Sequence, residues 1–192
     1  REAVETMTEL IEYYKGIFTI LSSCASRQLE EVTFRRTVIP VQELLDAAGK
    51  YFKKLMKNRS ERIELEIEPM EAKVIGDVNQ LRFLLENLID EALTVREDGV
   101  IRLQARKDNE YIRFLFTDTR REKSVEELNQ LFYPNLARMT SGEKGELRGT
   151  EYLVCKQIIR DHDEFAGRRG CRINAEPAEG GGFTVYFTIP RR

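Results

Sequence analysis

The chain has 192 residues, 41% apolar and 33% charged, which is enough apolar material for a sizeable core. Lysine plus arginine number 31 against 33 aspartates and glutamates, and this near balance excludes a dedicated basic nucleic-acid binder and an acidic disordered tail. Three cysteines and a single histidine exclude a disulfide framework and a histidine-rich metal site, and no apolar run approaches the ~20 residues of a membrane span.

The chain opens on Arg1 rather than methionine and reads as a piece of a longer protein, so that any membrane anchor would lie outside it. Residues 1–30 read as one long helix. Val4, Met7, Ile11, Tyr14, Phe18, Leu21, Ala25 and Gln28 alternate spacings of three and four, a heptad seam. Leu10, Ile17 and Cys24 widen the stripe, which predicts a helix in a dimerising bundle. Residues 31–192 then form a second unit. Val32 to Ile39 is a strand-like stretch ended by Pro40, and Val41 to Asn58 is a helix with Leu44, Leu45, Ala48, Phe52 and Leu55 on one face.

Ile63, Leu65 and Ile67 alternate with Glu64, Glu66 and Glu68, the period of a half-buried strand whose glutamates face water. A second short strand covers Lys73 to Ile75. Gly76-Asp77 breaks the chain before a helix from Val78 to Leu93. Val100 to Lys107 and Tyr111 to Thr117 make a hairpin around Asp108-Asn109-Glu110. Ser124 opens a short helix to Phe132, with Glu127 completing a capping box. Residues 133–149 read as irregular, and Glu151 to Asp161 as helix. A last hairpin, Cys171 to Glu176 and Phe183 to Ile189, turns through Pro177 and Gly180-Gly181-Gly182. Antiparallel strands with helices on one face predict an α+β, two-layer sandwich. Cys155 and Cys171 fall on core faces and read as inert packing residues.

Five segments, in order, resemble the ATP-binding domain of bacterial sensor histidine kinases, within the class shared with gyrase-type, chaperone and mismatch-repair ATPases. The first is Gly76-Asp77 with Gln80-Leu81 and Asn87-Leu88-Ile89-Asp90-Glu91-Ala92, similar to the family's N box. Phe116-Thr117-Asp118-Thr119 resembles the first Gly box, and Leu131-Phe132-Tyr133-Pro134 the F box. Gly149 followed by Val154-Cys155-Lys156-Gln157-Ile158-Ile159 and His162 resembles the second Gly box and its helix. Gly182-Phe183-Thr184-Val185 through Pro190 resembles the closing strand. The resemblance implies a two-layer sandwich of the histidine-kinase ATPase type, with residues 1–30 as the second helix of a dimerisation bundle. By the same resemblance Asn87, Glu91, Asp118, Gly149 and Thr184 would contact nucleotide, with Glu91 at the magnesium position.

The departures from the family pattern carry as much weight. The magnesium asparagine is replaced by Glu91, whose charge would repel a triphosphate. Asp118 matches the adenine-binding aspartate, but the glycines expected two and four residues later are Arg120 and Glu122. Across Leu147 to Tyr152, only Gly149 survives of three phosphate-loop glycines, and Glu151 would compete with phosphate for a helix N-terminus. Arg120, Arg121, Arg138, Lys144 and Arg148 read as a solvated, charged loop; the rival reading has them bind phosphate.

His162 lies late in its helix, where a charge–dipole or capping role is expected, and Asp161-His162-Asp163 reads as polar groups facing solvent. Asp163 to Gly170 makes a longer, basic-ended turn than the family's, for which the resemblance supplies no role. The implied function is a two-component signalling module, dimeric through residues 1–30, cytoplasmic, with a response regulator or other signalling protein as partner. Weakened or lost binding of ATP and magnesium would make it a pseudokinase with no catalytic residue of its own in this segment. The alternative is an active divergent kinase that binds magnesium ATP and phosphorylates a histidine upstream of Arg1. A gyrase-like or chaperone-like ATPase fits less well, because Asn87 stands where those relatives carry a general-base glutamate.

Overall fold

The computed structural model describes residues 3–8, 10–11, 14–15, 34–133, 140–141, 147–148 and 150–192. Residues 3–8, 10–11 and 14–15 are helical, and the seam side chains Val4, Met7, Leu10, Ile11 and Tyr14 stand exposed. The rest of the helix expected over 1–30, and Gly149, Arg138 and Lys144, lie outside the described residues.

Strand β1 runs Thr37–Pro40, helix α1 Val41–Met56, β2 Ile63–Ile67, β3 Lys73–Gly76 and helix α2 Val78–Ala92. The hairpin strands are β4 Gly99–Asp108 and β5 Tyr111–Asp118. Helix α3 covers Val125–Asn129, β6 and β7 are the two-residue strands Thr140–Ser141 and Leu147–Arg148, and helix α4 covers Glu151–Phe165. Strands β8 (Ile173–Pro177) and β9 (Phe183–Pro190) end the chain.

The main sheet has the order β2-β4-β5-β9-β8, and β1 pairs with β3 in a separate two-stranded sheet. Alternation sets the two faces. Ile101, Leu103 and Ala105 of β4, Ile112, Phe114 and Phe116 of β5, and Phe183, Val185, Phe187 and Ile189 of β9 are all buried. They meet Leu44, Leu45 and Phe52 of α1, Leu81, Leu84, Leu85 and Leu88 of α2, and Cys155 and Ile158 of α4 in one core. Phe114 and Phe187, opposite each other in the register, stack with ring centroids 4.9 Å apart. The other face carries cross-strand pairs such as Arg102–Glu66 at 2.9 Å and Arg106–Glu68 at 2.8 Å. This is the expected two-layer α+β sandwich.

Several details depart from the sequence reading. Strand β2 joins β4 in parallel, because β3 and α2 intervene between them and carry the chain back across the sheet. Pro40 is the last residue of β1 rather than its terminator, since the edge position leaves its missing N–H unused and Val41 already donates to Ala72 O at 2.9 Å. Phe34 to Arg36 are not strand. The span 133–149, read as irregular, contains the β6–β7 pair. Helix α3 stops at Asn129 and α4 continues to Phe165. The capping box is as expected: Ser124 accepts from the Glu127 N–H, and the Glu127 carboxylate accepts from the Ser124 N–H.

Candidate functional site

Helix α2 positions the N-box residues. Its N-cap is Asp77, whose Oδ1 accepts from the N–H groups of Asn79 and Gln80, while Oδ2 accepts from the Arg35 N–H. Behind this cap sits His162, fully buried. Its Nε2 accepts from the Asp77 N–H at 3.1 Å, and Nδ1 lies 2.8 Å from the Ile158 carbonyl, which fixes a neutral ring protonated on Nδ1. Burial depresses its pKa to about 4, against a smaller upward pull from the Ile158 carbonyl and Asp77. The expected charge–dipole role is therefore corrected: His162 is an uncharged acceptor that ties α4 to the start of α2. Gly76 is the counterpart, since a Cβ there would lie 2.8 Å from His162 Nε2. Asp163 is only partly exposed; its Oδ1 accepts from the Gly170 and Cys171 N–H groups and organises the turn.

One α-helical turn separates Asn87 from Glu91 on the same flank of α2. Asn87 is buried and its Nδ2 donates 2.8 Å back to the Phe83 carbonyl of its own helix. Glu91 Oε2 accepts from Arg121 Nη2 at 2.7 Å and from the Tyr152 hydroxyl at 2.8 Å. Burial, followed by the Glu91 carboxylate, holds the Tyr152 hydroxyl well above the ordinary tyrosine range, so it stays a donor. Burial, the largest single effect, disfavours the Arg121 cation, but Glu91, Tyr152 and Asp118 together outweigh it and raise its pKa.

Asp118 ends β5 with only 1% of its surface exposed. Oδ1 accepts from the Arg120 N–H at 3.0 Å and from Arg120 Nε at 2.9 Å. Oδ2 accepts from Arg120 Nη2 at 3.0 Å and Arg121 Nε at 3.2 Å. The Arg120 side chain is as buried as its partner. Its remaining donors go to Ala92 O at 2.6 Å, Val95 O at 3.2 Å and Glu97 O at 3.0 Å, so all its N–H groups are used. Arg120 thus closes the C-terminal end of α2, where carbonyls lack helical partners and a cation is favoured. Arg121 also lies over the Phe183 ring, 5.6 Å from its centroid.

The expectation of a solvated loop is overturned for Arg120 and Arg121. Both are pulled inward because Asp118 is buried and Glu91 partly buried, and both carboxylates need counter-charges. Nor is Arg120 strained by replacing a glycine, since Asn109 is the only non-glycine residue with positive φ among those described. The space comes from elsewhere: Gly99, at φ +146°, leaves room where a Cβ would lie 2.6 Å from Arg120 Cγ. Gly182, at φ +82°, lets β9 start against the backbone of Asp118. Thr184 is buried, with its hydroxyl 2.7 Å from that of Thr117. The structure therefore brings Glu91 and Asp118 together through Arg121 and turns Asn87 and Thr184 onto their own neighbours. The sequence reading missed Tyr152 and the inward role of the arginines; Gly99 beside a hairpin whose far end carries Arg120-Arg121 was the available signal.

The resemblance implies a magnesium nucleotide here, and the donor set as arranged does not fit one. Both oxygens of Asp118 are taken by guanidinium groups, and Glu91 holds a cation of this chain.

A family described as histidine kinase-, DNA gyrase B- and HSP90-like ATPase matches residues 76–192. The chain belongs to this family. Its ATPase-type sandwich is that of histidine-kinase catalytic domains. The nucleotide-free catalytic domain of the histidine kinase ThkA matches with TM-score 0.63 at 21% identity, over 82% of this chain and 97% of that one. A mycobacterial sensor histidine kinase, MprB, matches with TM-score 0.62 at 19% identity, over 82% and 99%. ThkA in complex with the response regulator TrrA matches with TM-score 0.63 at 19% identity, over 98% of this chain and 52% of that one. No curated protein sequence matches the chain. Among the described residues, no helix of this histidine-kinase-like domain is long and apolar enough to cross a membrane.

Proposed function

We propose that this chain is a signalling module of the two-component type whose nucleotide site has been converted into an internal ion-pair network. The observation that carries this reading is the double engagement of Asp118 by Arg120 and Arg121, with Arg121 spanning to Glu91. Nucleotide would have to displace two guanidinium groups from a buried carboxylate, and breaking such a pair costs about 3–5 kcal/mol. That loss alone weakens ATP binding by roughly two to four orders of magnitude. Residues 1–30 serve as a dimerising helix and 31–192 as the ATPase-like unit; the exposed seam at Val4, Met7, Leu10 and Ile11 supports this division. The similar ThkA structure contains a response regulator, which supports a regulator or another signalling protein as the partner here. The module works in the cytoplasm.

Titration calorimetry of the chain with ATP and ADP, with and without magnesium, tests the reading. No saturable heat is expected at millimolar nucleotide. Magnesium-dependent binding would instead favour the alternative, an active kinase with Glu91 as metal ligand, and Glu91→Gln should then abolish the magnesium dependence.

A further inference from the structure

The turn between α4 and β8 takes no part in the network around Asp118, yet it is firmly built. Asp163 Oδ1 accepts from the Gly170 and Cys171 N–H groups at 2.6 and 3.0 Å, and the Tyr111 hydroxyl donates to the Arg169 carbonyl. Arg168 pairs with Glu110. The turn so held forms one wall of a groove of about 370 Å³. The opposite wall is the β1–β3 sheet. Val38 and Ile75 face each other in its register, and their neighbours Ile39 and Val74 are buried in the core, so this pair lies on the outer face. With Pro190 they make an apolar floor, and Val38 remains 42% exposed.

Three arginines line the groove beside that floor: Arg36, Arg168 and Arg191. Arg36 Nη1 lies where a Cβ on Gly167 would be, 2.8 Å away, so the glycine, at φ +92°, lets the guanidinium pack against the turn. Arg191 is placed by its bridge to Val74 and by its N–H, which donates to the Glu110 carbonyl at 2.8 Å. Arg168 has a carboxylate partner; among the described residues, Arg36 and Arg191 have none within ion-pair distance. Clustering like charges over an apolar floor is unfavourable unless an anion joins them, and a planar fork of N–H donors matches phosphate and carboxylate oxygens. The volume lies at the small end of the range of small-molecule sites.

We propose that this groove is a binding site for an organic anion. Arg36 and Arg191 hold its phosphate or carboxylate, and Val38, Ile75 and Pro190 take its apolar body. The anion can come from a free small molecule or from an acidic, partly apolar side-chain segment of a protein; the chemistry is the same. The site is independent of whether the Asp118 region binds nucleotide.

Amide NMR of the whole chain tests it, with phenyl phosphate, inorganic phosphate and benzyl alcohol as probes. Saturable shifts confined to residues 36–38, 75, 166–168 and 191 are expected with phenyl phosphate. Inorganic phosphate should bind about tenfold more weakly and benzyl alcohol not at all. Arg36→Gln with Arg191→Gln should weaken phenyl phosphate by at least about tenfold. If that pair fails to fold, Arg36→Lys with Arg191→Lys keeps the charge but loses the fork and should weaken it severalfold. A peptide alternating glutamate and valine separates the sources: binding tighter than phenyl phosphate supports a protein segment, weaker binding a free small molecule. Shifts spread over all basic surfaces, equal affinity for inorganic phosphate, or no change in the double variants would overturn the proposal.

Discussion

Arg120 shows how one residue changes the meaning of a site. In the resembled pattern that position is glycine, and the aspartate before it is left free for a ligand. Here the side chain folds back on Asp118 and also closes the C-terminal end of α2 through Ala92, Val95 and Glu97. Replacing it with Met keeps the volume but leaves Asp118 without its main counter-charge and takes the side-chain donor from the Ala92, Val95 and Glu97 carbonyls. Arg120→Met should therefore destabilise the fold by about 3–5 kcal/mol, read as a lowered urea midpoint. Arg121 is more exposed, at 16%, and pairs with two carboxylates. A double-mutant cycle of Arg121→Gln with Glu91→Gln should give a coupling of about 1–3 kcal/mol, and additivity within a few tenths would remove the bridge from the network.

At the scale of elements, the junction of α2 and α4 depends on His162 being neutral. The unfolded chain titrates this group near ~6.5, whereas the folded chain resists protonation down to about 4. Between those values the unfolded state binds the extra proton, so stability is complete above about pH 6.5 and falls as the pH drops through that window. The loss from this group should reach about 3 kcal/mol near pH 4. Urea unfolding at stepped pH should show it, and His162→Gln should flatten that part of the profile; an unchanged slope in the variant would place the acid sensitivity elsewhere. Most elements were legible from periodicity: the Ile63–Ile67 alternation, the hairpin at Asn109 with its φ of +53°, and the capping box at Ser124. The parallel docking of β2 was not, because pairing partners depend on the path of the chain rather than on the strand's own pattern. Nor were the burial of His162 and the inward turn of Arg120 and Arg121, which rest on contacts 85 and 28 residues apart in sequence.

For the whole molecule, the motif order was enough to identify an ATPase-type sandwich, and the alternating faces of β4, β5 and β9 explain why it folds. The candidate site was legible only as a set of positions. Its substitutions meet in one network: Glu91 stands in place of asparagine and Arg120 in place of a glycine, and Arg121 joins Glu91 to the Asp118 that Arg120 also holds. The carboxylates and guanidinium groups of this region are thereby paired with one another rather than left unsatisfied. On the function proposed above, the module keeps the shape of its family with this network in place of the nucleotide. The arginine Nε–H resonances of the chain, followed by NMR during titration with magnesium ATP, report directly on this state, because buried and paired Nε–H groups exchange slowly enough to be seen. Protected Nε–H signals for Arg120 and Arg121 that hold their positions to millimolar nucleotide are the predicted result. A saturable, magnesium-dependent movement or loss of either signal would contradict it.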